Sequence, residues 1–135
     1  MQWSKVLVAG AVGGVVNAVY GFVMHAVVMG STYGKYSPEV FRQDGAGMVW
    51  FITIPILLGL AGGVFFAKSR SAWAAGAKGG AMFGFWIGLI GFIYNFYTPL
   101  IYTGYPYYLT WCTGGILLIG WVIVGAVIGA MYKTA

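Results

Sequence analysis

The chain has 135 residues, of which 61% are hydrophobic and 7% charged, with seven Lys/Arg against two acids and a formal net charge of +5. Soluble domains carry roughly 25% charged residues to keep their surfaces wetted, so this balance excludes an ordinary soluble domain, a disordered tail and a nucleic-acid binder; 23 glycines without a three-residue period exclude collagen as well. The composition predicts an integral membrane protein.

Charge-free intervals parse the chain. Lys5 and Lys35 are separated by 29 uncharged residues, Asp44 and Lys68 by 23, and Lys78 and Lys133 by 54, room for two spans and a turn. About 20 apolar residues cross a hydrocarbon core ~30 Å thick. Helices are therefore predicted near 5–30, 48–67, 76–98 and 109–132. Long apolar runs without alternation do not fit a barrel.

The first span follows Lys5. Met1–Lys5 and the apolar run after it also fit a signal peptide, with Val23-Met24-His25-Ala26 as a faint cleavage site. The run is too long for a signal core, so a retained helix is expected. Asn17 stands at its middle, and His25, the lone histidine, toward its outer end. An amide inside a span usually hydrogen-bonds a neighbouring helix; lining a small-molecule path is the alternative. A helix-end histidine usually bonds a tyrosine or a carbonyl. The sharper alternative is ligation of a pigment or haem by neutral imidazole. One histidine suffices for a chlorophyll but not for a bis-histidine haem.

Residues 31–47 form the first outer loop. Ser37 offers a capping hydroxyl, Pro38 suits a first helical turn, Glu39 suits the positive end of a helix dipole, and Gly45 is a stop. A short interfacial helix is predicted over 38–44, with Glu39 and Arg42 paired at i, i+3. Tyr36-Ser37-Pro38-Glu39-Val40-Phe41, directly after a first span, and the closing Gly125-Ala126-Val127-Ile128-Gly129-Ala130 carry a likeness. The chain resembles small four-span bacterial membrane proteins of unknown function with an aromatic-Tyr-Ser-Pro-x-x-Phe first loop, with Lys35 in place of the aromatic. That resemblance implies the four-span fold and no assigned activity, and so no site residues.

In the second span Pro55 frees a backbone carbonyl and should kink the helix, with Thr53 available to help satisfy it. The third span carries Gly76, Gly80, Gly84 and Gly88 at a strict spacing of four, with Ile87 expected to face lipid and Asn95 as a second intramembrane amide. In the fourth span the unpaired Cys112 is expected to be a small buried hydrophobe. Gly10/Gly14, Gly59/Gly63 and Gly125/Gly129 are further GxxxG pairs. Lipid removes the hydrophobic drive between helices, so small residues that let backbones touch become the adhesive. Packing within one chain is the plain expectation. A third-span ladder longer than one neighbour uses would instead bind another subunit.

Two parallel repeats are legible. Gly13-Gly14 and Gly79-Gly80 open the first and third spans, Tyr33-x-x-Tyr36-x-Pro38 and Tyr102-x-x-Tyr105-Pro106 close the outer turns, and GxxxG precedes a lysine in the second and fourth. They run in the same direction, unlike the inverted repeats of many transporters. Lys5, Lys68, Arg70, Lys78 and Lys133 fall on one side, which predicts both termini in the cytoplasm of a bacterial inner membrane. Eight of ten tyrosines gather at the opposite boundary.

No carboxylate lies within a span, which argues against ion-coupled transport. No nucleophile set, phosphate loop or metal cluster is present, so neither an enzyme nor a metal site is expected. Three functions remain: a non-catalytic accessory subunit that packs against and stabilises a larger membrane complex, such as an energy-converting one; a small homo-oligomeric carrier or channel for an uncharged or lipid-like solute; and a pigment- or haem-holding protein through His25. Membrane lipid and other subunits, or a second copy, are the expected partners, and nucleic acid is not.

Overall fold

The computed structural model describes residues 1–36, 40 and 44–132. The fold is all-α. The first span, α1 (Trp3–Phe22), continues as a π-helical turn over Val23–Val28 and is followed by the short α2 (Gly30–Gly34). The second, α3 (Gly47–Lys68), ends in a 3-10 turn at Arg70–Ala72. The third is α4 (Gly76–Asn95) with its extension α5 (Tyr97–Ile101), and the fourth is α6 (Tyr107–Met131). Among the described residues four segments are long and apolar enough to cross a membrane: Trp3–Val28, Gly47–Lys68, Gly76–Ile101 and Tyr107–Met131. The predicted helix over 38–44, with its Glu39–Arg42 pair, lies largely outside the described residues, as does Lys133.

Two predicted helices differ from the observed ones for local reasons. The first is not α-helical throughout: Met29 N–H donates to the Met24 carbonyl at 2.9 Å, five residues back, so one extra residue is wound into the turn that carries His25. The third breaks at Phe96 because Pro99 has no N–H to return to the Asn95 carbonyl.

The spans form two antiparallel hairpins. α1 packs on α3 and α4 on α6; α1 also packs on α6 and joins the pair, while α3 meets α6 only slightly. Val6 near one chain end and Tyr132 near the other share a buried cluster with Phe66, Phe83 and Ile128, so both ends lie at one end of the bundle. Lys5, Lys68, Arg70 and Lys78 belong to that terminal end. A second cluster of Met29, Leu109 and Ile116, flanked by Tyr33, Tyr36 and Tyr105, fills the opposite, loop end. The terminal turn between α3 and α4 is closed by side chains. Trp73 Nε1 donates to Ser69 Oγ at 2.9 Å, and Arg70 donates to the Trp73 carbonyl at 2.6 Å.

Glycines mark where the helices touch. A Cβ on Gly14 would stand 2.6 Å from Ile56 Cα, and one on Gly10 would stand 2.8 Å from the Gly59 carbonyl. A Cβ on Gly63 would lie 3.0 Å from Gly10 Cα. In the other hairpin a Cβ on Gly80 would strike the Gly125 carbonyl, one on Gly84 the Trp121 carbonyl, and one on Gly88 would lie 2.8 Å from the Leu118 carbonyl. Gly129 sits against Gly80, 2.8 Å from a would-be Cβ to its Cα. Gly76 departs from the expected ladder. It has φ +77° and open space where a Cβ would be, so it turns the chain into α4 and meets Gly129 only through its carbonyl. Gly80, Gly84 and Gly88 all face α6, so the surplus glycine face expected for another subunit is taken up inside the chain. Ile87 also departs from expectation: it is half-buried against the Phe83 cluster, and Ile90, 65% exposed, faces outward instead.

Candidate functional site

The two hairpins do not close equally. Below Gly14 and Gly59 the backbones of α1 and α3 touch. Beyond them Asn17, Tyr20 and His25 of α1 and Pro55, Phe51 and Trp50 of α3 line an opening. A cavity of about 620 Å³ opens between α1, α3 and α6, with Trp121 and Leu117 of α6 on its third side. Its size falls within the range of small-molecule sites.

The lining is apolar except along α1. Asn17 and Tyr20 stand beside Gly120 of α6, where a Cβ would come within 3.3 Å of Asn17 Oδ1 and 3.0 Å of the Tyr20 ring. Gly120 thus lets the two polar side chains lie between the helices. The Tyr20 hydroxyl is buried and has no hydrogen-bond partner among the described residues. Among the described residues the Asn17 amide makes no hydrogen bond across helices, contrary to the usual expectation for such an amide, and lines the cavity instead. Tyr20 is about eight residues from the end of the span at Val28, roughly 12 Å along a helix. Its backbone therefore lies well inside the span, and an unpaired polar group buried there costs on the order of 1–3 kcal/mol.

His25 lies on the π-helical turn and also lines the cavity. Its Nδ1 is hydrogen-bonded to the Tyr33 hydroxyl at 2.6 Å, the tyrosine contact expected of a helix-end histidine. The two rings stack with centroids 5.8 Å apart, and Phe51 meets the imidazole edge-on at 6.0 Å. Burial, followed by the influence of Tyr105 and Cys112, pushes the Tyr33 hydroxyl up to about 12, so it stays protonated at ordinary pH. Nδ1 is thereby occupied, and Nε2 is the remaining imidazole nitrogen. Among the described residues no group of three His, Cys, Asp or Glu is placed to hold a metal ion.

Asn95 plays a different part from Asn17. Its Nδ2 donates to the Thr113 hydroxyl at 2.8 Å and to the Thr110 carbonyl at 3.1 Å, tying α4 to α6; Thr113 in turn donates to the Leu109 carbonyl at 2.8 Å. Thr53 is half-buried on α3 and does not line the cavity, whereas Pro55 does. Cys112 is half-buried beside the loop-end cluster.

Tyr20 and Trp121 were not singled out by sequence, although the signal was present: both lie in the middle of spans, away from the headgroup level that such side chains favour. Comparison of the chain with protein-family models, with characterised proteins and with solved structures finds no match. The bacterial four-span resemblance therefore remains with the two motifs that carry it.

Proposed function

We propose that this chain is a non-catalytic membrane protein that binds an uncharged, largely apolar molecule in the cavity between α1, α3 and α6, and acts as a small carrier for it. One observation carries this reading: the Asn17 amide, without a hydrogen bond across helices among the described residues, lines a largely apolar cavity of about 620 Å³ between the spans, with His25 on the same wall. Polar groups left unpaired in lipid are costly and tend to mark a pathway or a ligand. Native purification in mild detergent, followed by mass spectrometry of co-migrating small molecules, tests the proposal. An apolar ligand lost on Gly21→Trp, which fills the cavity from α1, is the expected result. A chain that carries no small molecule and accepts none from vesicles would refute it.

The accessory-subunit reading keeps one support of its own. Trp86 is 51% exposed on α4, at mid-span rather than at the headgroup level, as a contact with another membrane protein would favour. The same purification discriminates, since a chain that runs without other proteins counts against it. A pigment or haem on His25 Nε2 predicts visible absorption by the purified protein. The basic terminal end supports placing both termini in the cytoplasm of a bacterial inner membrane, which reporter fusions at each terminus test.

A further inference from the structure

A second hollow, of about 220 Å³, lies between α3 and α4. These helices follow one another in the chain but scarcely touch, since α3 packs on α1 and α4 on α6. Leu58 and Trp121 border both this hollow and the larger cavity, and the indole lies against Gly62, where a Cβ would stand 2.8 Å from it. The walls are apolar throughout: Leu58, Ala61 and Phe65 of α3, Phe83 and Ile87 of α4, and Trp121 of α6. The three α3 residues are exposed, so the hollow opens outward, and around a bundle of spans that means toward lipid.

The α3 wall ends on a cation. Leu58, Ala61 and Phe65 recur at spacings of three and four, and Lys68, exposed at the end of α3, is next on that face. Leu58 and Lys68 are ten residues apart, about 15 Å along a helix, which is half of a ~30 Å hydrocarbon core. The apolar face therefore has the depth of one leaflet. A second cation stands at the same end. Arg70 Nη1 donates to the Trp73 carbonyl at 2.6 Å, and the guanidinium lies 5.9 Å from the centre of the Phe66 ring. Phe65, Phe66 and Trp73 all pack edge-on against Phe83, with centroids 5.3 to 5.6 Å apart, which brings the Arg70 turn to the terminal end of the hollow.

The two acidic side chains of the sequence are at the opposite end of the bundle. Asp44 precedes α3, and Glu39 adjoins Val40, which lines the loop-end cavity. Neither offsets Lys68 or Arg70. An acyl chain from any lipid satisfies the apolar walls; the two cations above them select an anionic head.

We propose that the hollow between α3 and α4 binds an anionic phospholipid of the leaflet at the terminal end. One acyl chain lies along Leu58, Ala61 and Phe65, and the phosphate-bearing head meets Lys68 and Arg70. This site is separate from the one proposed between α1, α3 and α6, and its failure would leave that reading standing.

The test offers the full chain, in mild detergent, equal amounts of phosphatidylglycerol and phosphatidylcholine with the same acyl chains, and reads retained lipid by native mass spectrometry. One phosphatidylglycerol per chain, preferred at least about tenfold, is the expected result. Lys68→Gln should narrow that preference about fivefold, the share of one basic residue near an anionic lipid. Lys5→Gln, at the same end of the bundle but on α1, should leave it unchanged. Ala61→Trp, which fills the hollow, should abolish retention. Equal retention of the two lipids by the unmodified chain overturns the site. Equal narrowing by Lys5→Gln and Lys68→Gln also overturns it, since the attraction would then belong to the whole basic end. Undiminished retention by Ala61→Trp does the same. The unmodified chain and the two lysine variants decide even if Ala61→Trp fails to fold.

Discussion

The two hairpins are built on one pattern and end differently. Gly76, Gly80, Gly125 and Gly129 stand 66 positions beyond Gly10, Gly14, Gly59 and Gly63. At the same offset, Gly84, Gly88 and Gly91 of α4 correspond to Ala18, Phe22 and His25 of α1. The second hairpin continues its small residues outward, and α6 follows them closely, with its backbone against Gly84 and Gly88. The first hairpin stops them at Gly14 and places polar and aromatic residues beyond. Half of a packed hairpin has thereby become a wall of a cavity. Where small residues persist, backbones meet and nothing else fits; where they stop, the space is available to a ligand.

The contrast is broken most severely in the closed hairpin. Gly84→Leu drives a side chain into the Trp121 carbonyl, where backbone rather than a movable side chain stands in the way. A loss of roughly 3 kcal/mol, at the upper end of ordinary overpacking, is expected, with loss of a monodisperse species in detergent. Ile90→Leu, on the outward face of the same helix, should change stability by less than about 0.5 kcal/mol. Equal effects in a steric-trap or thermal unfolding measurement would mean that close backbone approach does not hold this hairpin.

A gentler comparison lies within α1. A Cβ at Gly14 meets Ile56 Cα at 2.6 Å, whereas a Cβ at Gly21 meets nothing within 4 Å among the described residues. Gly14→Ala should cost about 1–3 kcal/mol. Gly21→Ala should be neutral or stabilising by up to ~1 kcal/mol, the helix preference for alanine over glycine. Thermal melts of the two variants locate the point where the hairpin opens. A penalty at Gly21 matching that at Gly14 would mean that a neighbour stands as close there and that the hairpin does not open.

The spans were legible in the sequence because lipid imposes so simple a rule: charges end them, and about 20 apolar residues fill them. The glycine pairs were legible too, since each helix repeats them at a spacing of four. The cavity was not. It arises from what faces Asn17 across a helix interface, and composition cannot say whether Asn17 meets a partner, as Asn95 meets Thr113, or an opening. Nor did the sequence disclose the π-helical turn, which follows from the backbone's accommodation of one extra residue before Met29 and decides where His25 stands. The role of Gly76 was misjudged because spacing alone does not distinguish a packing glycine from one required by a positive φ.

The two amides sharpen that point. Asn95→Ala removes hydrogen bonds to Thr113 and Thr110 and should cost about 0.6–1.7 kcal/mol, the span measured for such bonds in membrane bundles. A double-mutant cycle with Thr113→Ala should recover most of this as coupling. Asn17→Ala should leave stability nearly unchanged while weakening ligand binding. If Asn17 proves the costlier of the two in the absence of ligand, it has a protein partner and the cavity lacks one of its polar groups.

The smallest effect concerns the loop end, where Tyr33 holds His25 in place. Its hydroxyl is raised from 10.0 to about 12, chiefly by burial and then by Tyr105 and Cys112. In the unfolded chain the same hydroxyl ionises near 10. The folded state thus keeps a proton that the unfolded state releases, and stability must fall as pH rises. The contribution of Tyr33 is fully present below pH 10 and is lost as pH climbs through 12. The informative quantity is a difference: Tyr33→Phe should show a shallower decline in melting temperature across this window than the unmodified chain. Parallel declines would show that ionisation of Tyr33 is not linked to folding. The Tyr33–His25 contact would then be a consequence of the packing around it, and the loop end of the open hairpin would be held by its aromatic contacts alone.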